Sequence, residues 1–221
     1  MNAVPRHYAG NCEHTSSYYA ASANVRKLRP ELIGDHAFDV CVVGAGYSGL
    51  STALHLAEAG YNVAVVEGAR IGWGASGRNG GQIVNGLNAS LQTIKKRYGQ
   101  DTANFVAGLV TEGGDIIRDR IKTYDIQCDL KETNLFTAYT SAHMRELEER
   151  LELWQSYGIK TQEMVYSDEI RDYVGTDVYA GGMIDHAGGH MHPLNLALGE
   201  ADAIETNGGT IFEMSMVTDV N

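Results

Sequence analysis

Positive charge is what this sequence has least of: 17 Lys and Arg stand against 28 Asp and Glu, for a formal charge of −11. Nucleic-acid binding draws most of its free energy from clustered Lys and Arg, and no such cluster occurs here, so a nucleic-acid partner is excluded and an anionic membrane surface disfavoured. Cysteine is scarce as well. Cys12, Cys41 and Cys128 lie far apart, form no C-x-x-C pair and are odd in number, so any disulfide scheme leaves one thiol over. A reducing compartment, the cytoplasm, is the expected location. Long apolar runs are also missing: residues 1–30 mix His7, Asn11, Glu13 and His14 with a Ser-Tyr run, which fits neither a signal peptide nor a membrane span. Core material, by contrast, is ample. With 43% hydrophobic residues in 221, the chain can fill one large domain or one and a half, and is no collagen, disordered or low-complexity chain.

Residues 1–36 read as a polar and aromatic arm that packs on a neighbour. From Asp39 the pattern changes. Val40, Cys41, Val42 and Val43 form a short apolar run, expected to be a strand buried on both faces. Leu50, Ala53, Leu54 and Ala57 recur at helical spacing until Gly60, and residues 63–66 form a second buried run ending in Glu67. Strand, helix, strand at this spacing is a βαβ unit on a parallel sheet. Residues 71–82 then hold five glycines and read as a long shaped loop without regular structure. Phe105, Leu109, Ile116 and Ile117 set a helical period over 101–123, with a break expected at Gly113 and Gly114. A short strand is expected at 135–139 and a helix over 142–157, whose buried stripe is Met144, Leu147, Leu151 and Trp154. Pro193 opens a further helix, buried through Leu194, Ala197, Leu198, Ala201 and Ile204, and 210–220 reads as β-rich. No internal repeat is found.

The chemistry concentrates in Gly44, Ala45, Gly46, Tyr47, Ser48 and Gly49, a G-x-G-x-x-G that follows a buried strand and opens a helix. The first glycine permits a tight turn, the second lets backbone approach a pyrophosphate, and the third allows close strand–helix packing. Phosphate charge would sit on the helix N-terminus, where N–H groups and the macrodipole favour an anion without any basic side chain. Glu67, at the second strand's end, is placed to accept hydrogen bonds from the adenosine ribose. The fingerprint leaves NAD and FAD both open, since they share the ADP half. Asp185, His186, His190 and His192 resemble a metal set, but the glycine pairs and Pro193 explain 185–193 as a turn into a helix, and no metal is expected. His55 reads as an exposed residue on the polar side of its helix.

Residues 39–67, followed by Gly72, Trp73, Gly74, Ala75, Ser76, Gly77, Arg78, Asn79, Gly80, Gly81 and Gln82, resemble the FAD-dependent amine and amino-acid oxidases of the D-amino-acid oxidase or glycine oxidase type. The segments 13–22 and 188–196 extend that resemblance. It implies FAD as cofactor, oxidation of the C–H beside an amine with hydride passing to the flavin, and dioxygen as acceptor giving hydrogen peroxide. A small-molecule amine, favoured as a gamma-glutamylated polyamine, is the implied substrate. By the same resemblance Ser76 and the loop of Arg78, Asn79, Gly80, Gly81 and Gln82 lie along the pyrophosphate and isoalloxazine, and Val217, in the last strand, meets the adenine through its backbone; Ala75 and Arg70 are also expected among the cofactor-binding residues. Arg78 also reads as an ordinary solvated charge, and Arg70 likewise.

The expected fold is α/β: a Rossmann-type FAD-binding domain plus part of an inserted α+β substrate domain. The expected organisation is an arm over 1–36, a βαβ unit and glycine-rich loop over 37–98, an inserted region over 99–190, and a return helix and strand over 191–221. The family pattern runs on past Asn221, so the sequence is expected to be an N-terminal portion whose substrate-side residues lie beyond it. Two other readings stay open at this point, an NAD-dependent dehydrogenase and a nucleotide-binding fragment without turnover.

Overall fold

The computed structural model describes residues 12–220, so His7 and Asn11 of the expected arm, and Asn221, lie outside the described residues. The chain divides into two compact units, one of residues 12–81, 120–129 and 191–220, the other of 82–119 and 130–190.

In the first unit, β1 (Val40–Val43), β2 (Val63–Val66) and β7 (Thr210–Phe212) form a parallel sheet in the order β1-β2-β7, with Val40 opposite Val63 and Ala64 opposite Thr210. Between β1 and β2 runs α2 (Tyr47–Glu58), and before β7 comes α7 (Pro193–Thr206). Leu50, Ala53 and Leu54 of α2 and Leu194, Ala197, Ala201 and Ile204 of α7 close over Val63, Val65 and Ile211 in one core. This is the expected βαβ unit. Only β2 is buried at every position, however; in β1, Cys41 and Val43 are exposed. The reason is cover: β1 is one of the sheet's two outer strands, and Phe38 and Val217 pack on Ala64 and Val66 of β2 and Phe212 of β7.

The described part of the arm docks on this unit. It includes a short helix, α1 (Tyr18–Ser22), and its Arg29 side chain is buried against Asp202 (2.6 Å) and Glu205 (3.1 Å) of α7. The β-rich stretch expected over 210–220 is a strand only to Phe212. Met214 takes a left-handed φ of 54°, and its N–H and that of Ser215 bond Ala69 O and Glu67 O, which turns the chain across the end of the sheet.

The second unit begins at Gln82, where the sequence placed a boundary at 99. Its antiparallel sheet centres on β6 (Gly181–His190), which pairs with β3 (Gln82–Ile83), β4 (Lys131–Ala138) and β5 (Gln162–Tyr166). Here the sequence reading fails: residues 185–190, expected as a turn, are the middle of the sheet. The glycines of β6 serve close approach, since a Cβ at Gly182 would lie 2.7 Å from Phe136 O and one at Gly189 2.6 Å from Lys131 O. Asp185 is buried and accepts from Thr161 Oγ1, Gln162 Nε2, Asn85 Nδ2 and Ala187 N. His186 meets Glu163 instead, and His192 belongs to the first unit.

Around this sheet lie α3 (Leu91–Tyr98), α5 (Ser141–Ser156), α6 (Ile170–Val174) and α4 (Gln100–Thr123), whose last residues belong to the first unit. No break occurs at Gly113 and Gly114. Each glycine costs a helix about 1 kcal/mol, which 24 residues of continuous helix absorb; a Cβ at Gly114 would lie 3.0 Å from Arg118 Nη1, and one at Gly113 would stand in open space. The buried stripe of α4 is Ala103 and Ala107, packed with Leu91, Ile94 and Trp154, whereas Phe105 and Leu109 are exposed. No described helix is long and apolar enough to cross a membrane.

Two buried polar groups in the first unit give measurable consequences. Arg120 donates to Glu200 Oε1 (2.8 Å) and Ser51 Oγ (2.9 Å), and burial pushes the Glu200 carboxyl above its ordinary range although Arg120 opposes this. Loss of one partner strands a desolvated charge, so Arg120→Ala is expected to lower unfolding stability by about 3–5 kcal/mol. Arg120→Ala with Glu200→Gln should recover most of the loss in the same urea titration.

His192 caps α7, its Nδ1 accepting from Asn195 N (3.1 Å) while Nε2 faces Ser22 Oγ (3.1 Å). Burial holds its pKa below the ordinary value, and protonation would set N–H against N–H. An unfolded His takes up its proton first, near pH 6.5, so the cap's contribution is whole above about pH 6.5 and declines as pH falls further. His192→Asn, a cap that does not titrate, is expected to flatten the fall in melting temperature between about pH 7 and pH 5.

Candidate functional site

At the end of β1 the chain turns sharply. Gly44 has a φ of 97° and donates to Val66 O (2.8 Å), and α2 then rests directly on this turn. A Cβ on Gly49 would lie 1.9 Å from Gly44 O, so the approach requires glycine. Two of the amides at the start of α2 have acceptors: Ala45 N donates to Glu67 Oε2 (2.6 Å) and Tyr47 N to Ser76 Oγ (3.0 Å). Gly46, Ser48 and Gly49 keep N–H groups with no acceptor among the described residues. Three such donors at the start of a 12-residue helix, with its dipole behind them, form a cradle for an anion. A Cβ at Gly46 would meet only the Ser76 hydroxyl, at 3.1 Å, so the space before this amide is open.

Glu67, half-buried at the end of β2, is fixed from two sides, for its Oε1 also accepts from Ala69 N (2.8 Å). The loop that follows is ordered by polar contacts. Its middle is a single 3-10 turn, Ala75–Gly77, where the sequence suggested no regular structure. Asn79 Nδ2 donates to Ser76 O (2.8 Å) and Ala75 O (3.2 Å), and Asn79 Oδ1 accepts from Gly81 N (2.8 Å). Gly81 passes against the chain just before α7, where a Cβ would lie 1.9 Å from Met191 O. The exposed Arg78 guanidinium sits 4.5 Å from the Trp73 ring centroid, and Gly80 is exposed beside it. Tyr47 OH donates to Pro193 O (2.9 Å); burial pushes this phenol up to about 12, so it stays neutral.

The structure thus gathers Gly44 to Gly49, Glu67 and Ser76 at one end of the parallel sheet. Arg70 is turned the other way: it donates to Glu13 Oε1 through Nε (2.8 Å) and Nη2 (2.5 Å), and to Glu213 Oε2 (3.1 Å). Val217 lies beyond the last strand, packed on Ala64, Val66 and Phe212. Gln82 opens β3 in the second unit. Glu213 escaped the sequence reading. It ends β7 as Glu67 ends β2, and it accepts from Ile71 N (2.9 Å), Arg29 N (3.3 Å) and Arg70. The recurrence of Glu directly after a buried apolar run was the available signal.

A parallel βαβ unit, a glycine turn and a free helix N-terminus facing a strand-end carboxylate define a dinucleotide-binding α/β domain. Residues 39–221 match the model of the FAD dependent oxidoreductase family, and the chain belongs to that family. It is 53% identical over 208 residues to gamma-glutamylputrescine oxidoreductase of Escherichia coli K12, covering 94% of this chain and 49% of that protein. It is 42% identical to the probable oxidoreductase OrdL of Haemophilus influenzae, over 94% of this chain and 48% of the relative. The chain therefore spans about half the length of the curated relatives it matches. Among solved structures, glycine oxidase from Geobacillus kaustophilus superposes with a TM-score of 0.64 at 23% identity, covering 85% of this chain and 49% of that one. L-amino acid deaminase from Proteus myxofaciens gives 0.71 at 16% identity, over 87% and 41%. At these identities the likeness shows the fold alone.

The glycine turn makes a graded prediction for the protein without cofactor. Gly49→Ala drives a Cβ into backbone and is expected to cost about 3 kcal/mol or more; Gly44→Ala, strained by its left-handed φ, about 1–2 kcal/mol. Gly46→Ala, in extended backbone, should leave the urea midpoint almost unchanged.

Proposed function

We propose that this chain binds FAD through the first unit and serves the oxidation of a small amine. The observation that carries the reading is the set of acceptor-less N–H groups on Gly46, Ser48 and Gly49 beside an anchored Glu67. In this reading those amides face the pyrophosphate. A carboxylate offers about four lone-pair sites, and two of those on Glu67 bond Ala45 N and Ala69 N, leaving two for the ribose hydroxyls. Ser76, Arg78, Asn79 and Gly80 border the pyrophosphate and the isoalloxazine, with Gly81 and Asn79 fixing the loop's shape. When bound, FAD supplies a two-electron acceptor for the C–H bond next to the amine nitrogen, with dioxygen as the proposed final acceptor and hydrogen peroxide as product. The substrate we favour is gamma-glutamylputrescine or a related amine, on the strength of the 53% identical relative. The second unit is proposed as part of the substrate domain. The cytoplasm remains the proposed location, resting on the three unpatterned cysteines.

The test is cofactor affinity and amine turnover in parallel. Glu67→Gln is expected to weaken FAD by about 1–3 kcal/mol. Gly46→Val, with a branched side chain in the cradle, should abolish FAD retention and leave far-UV circular dichroism unchanged. Titration with NAD in place of FAD, and peroxide release with gamma-glutamylputrescine or putrescine, complete the assay. Equal FAD affinity in all three proteins, or uptake of NAD only, refutes the reading.

A further inference from the structure

Among the described residues, Glu13 of the arm bonds the start of the glycine-rich loop. Glu13 bonds it twice over: its backbone oxygen accepts from Trp73 Nε1 (2.9 Å), and its Oε1 accepts from Arg70 Nε (2.8 Å) and Nη2 (2.5 Å). Its other oxygen accepts from Arg26 of the arm itself (2.9 Å). Arg70 in turn reaches Glu213, which also holds Ile71 N, so residues 70, 71 and 73 are gripped from the arm on one side and from the end of β7 on the other. From there the order is passed on. The Trp73 ring carries the Arg78 guanidinium, Arg78 N donates to Ala75 O (3.1 Å), and Ser76 accepts from Tyr47 N at the start of α2.

We propose that Glu13 is a positioning residue for the cofactor: the arm clamps the loop through Arg70 and Trp73, and so sets where Ser76 and Arg78 stand against FAD. This rests on the FAD reading above. Stability alone does not account for the arrangement. The Glu13 side chain is 44% exposed, and exposed ion pairs contribute little to folding. The arm is held independently through buried Arg29 on Asp202 and Glu205, and through Asn24 N on Asn195 Oδ1 (2.9 Å). Removal of the Glu13 side chain therefore releases Arg70 from the arm and leaves the loop held there only by Glu13 O on Trp73 Nε1 and by Glu213, while the arm stays docked. The Arg70 contact keeps the Glu13 carboxyl below its ordinary range, so the clamp is ionised at neutral pH.

The experiment compares wild type, Glu13→Ala, Trp73→Phe, the double variant and Gly46→Val. FAD dissociation constants come from flavin fluorescence, with FAD in excess, and tryptic cleavage after Arg78 is timed without FAD. Glu13→Ala and Trp73→Phe are each expected to raise the dissociation constant about five- to tenfold, and the double variant by less than the product, since both act on one loop. Cleavage after Arg78 should quicken several-fold, with the melting temperature within about 2 °C of wild type. An unchanged FAD affinity in Glu13→Ala, where Gly46→Val has lost FAD, overturns the clamp. So does a weakened affinity that comes with a melting temperature lowered by more than about 5 °C, which marks a merely structural role. If Gly46→Val binds FAD like wild type, the FAD reading itself fails; unchanged cleavage at Arg78 then overturns the clamp on its own.

Discussion

Where parallel strands end and the chain turns back, backbone N–H groups are left pointing away from the sheet, and each needs an acceptor or a ligand. This constraint shapes the first unit. Two carboxylates at equivalent places answer most of it. Glu67 takes Ala45 N and Ala69 N, and Glu213 takes Ile71 N and Arg29 N. Between them they fix the turn after β1, the loop after β2 and the arm. What they do not satisfy is as telling. The amides of Gly46, Ser48 and Gly49 stand together at a helix start, with a neighbouring carboxylate held rigid by its own hydrogen bonds.

How much of this was legible depends on how local the cause is. Val40 to Glu67 could be read because apolar runs, helix spacing and glycine positions are each set within a few residues, and the register Val40 to Val63 follows from them. The exposure of Cys41 and Val43 could not, since it depends on which strand lies outermost in a sheet whose third member is nearly 150 residues away. Arg70 shows the limit from another side. The resemblance implied a cofactor contact for it, yet its two carboxylate partners, Glu13 and Glu213, come from opposite ends of the chain. Trp73 is similar: the loop contained it, but nothing local marks Glu13 O as its acceptor.

Glycine was the residue most easily misread, because one composition serves two purposes. At Gly44 it permits a backbone angle, and a turn results. At Gly182 and Gly189 it removes a side chain so that β4 can lie close, and a central strand results. The distinction lies in the neighbour, a carbonyl oxygen from a distant strand, which no window of sequence contains. Gly113 and Gly114 serve neither purpose: both have helical backbone, a Cβ at Gly113 would stand in open space, and α4 runs through them unbroken.

The formal charge of −11 and a dianionic pyrophosphate are compatible once distance is considered. At physiological ionic strength charges separated by more than about 8 Å are largely screened, so the acidic surface acts weakly at the cradle. What acts there are the fixed dipoles of α2 and the amides, oriented before any ligand arrives. The nearest carboxylate, Glu67, has already turned one oxygen onto Ala45 N and the other onto Ala69 N. Its charge is thereby held on the ribose side of the turn in the proposed reading, as a hydrogen-bond acceptor and away from the phosphate path. Nearby positive charge is treated in the same economical way. Arg70 is neutralised by Glu13 and Glu213, whereas Arg78 is exposed over Trp73, on the loop that is proposed to follow the cofactor toward its reactive ring.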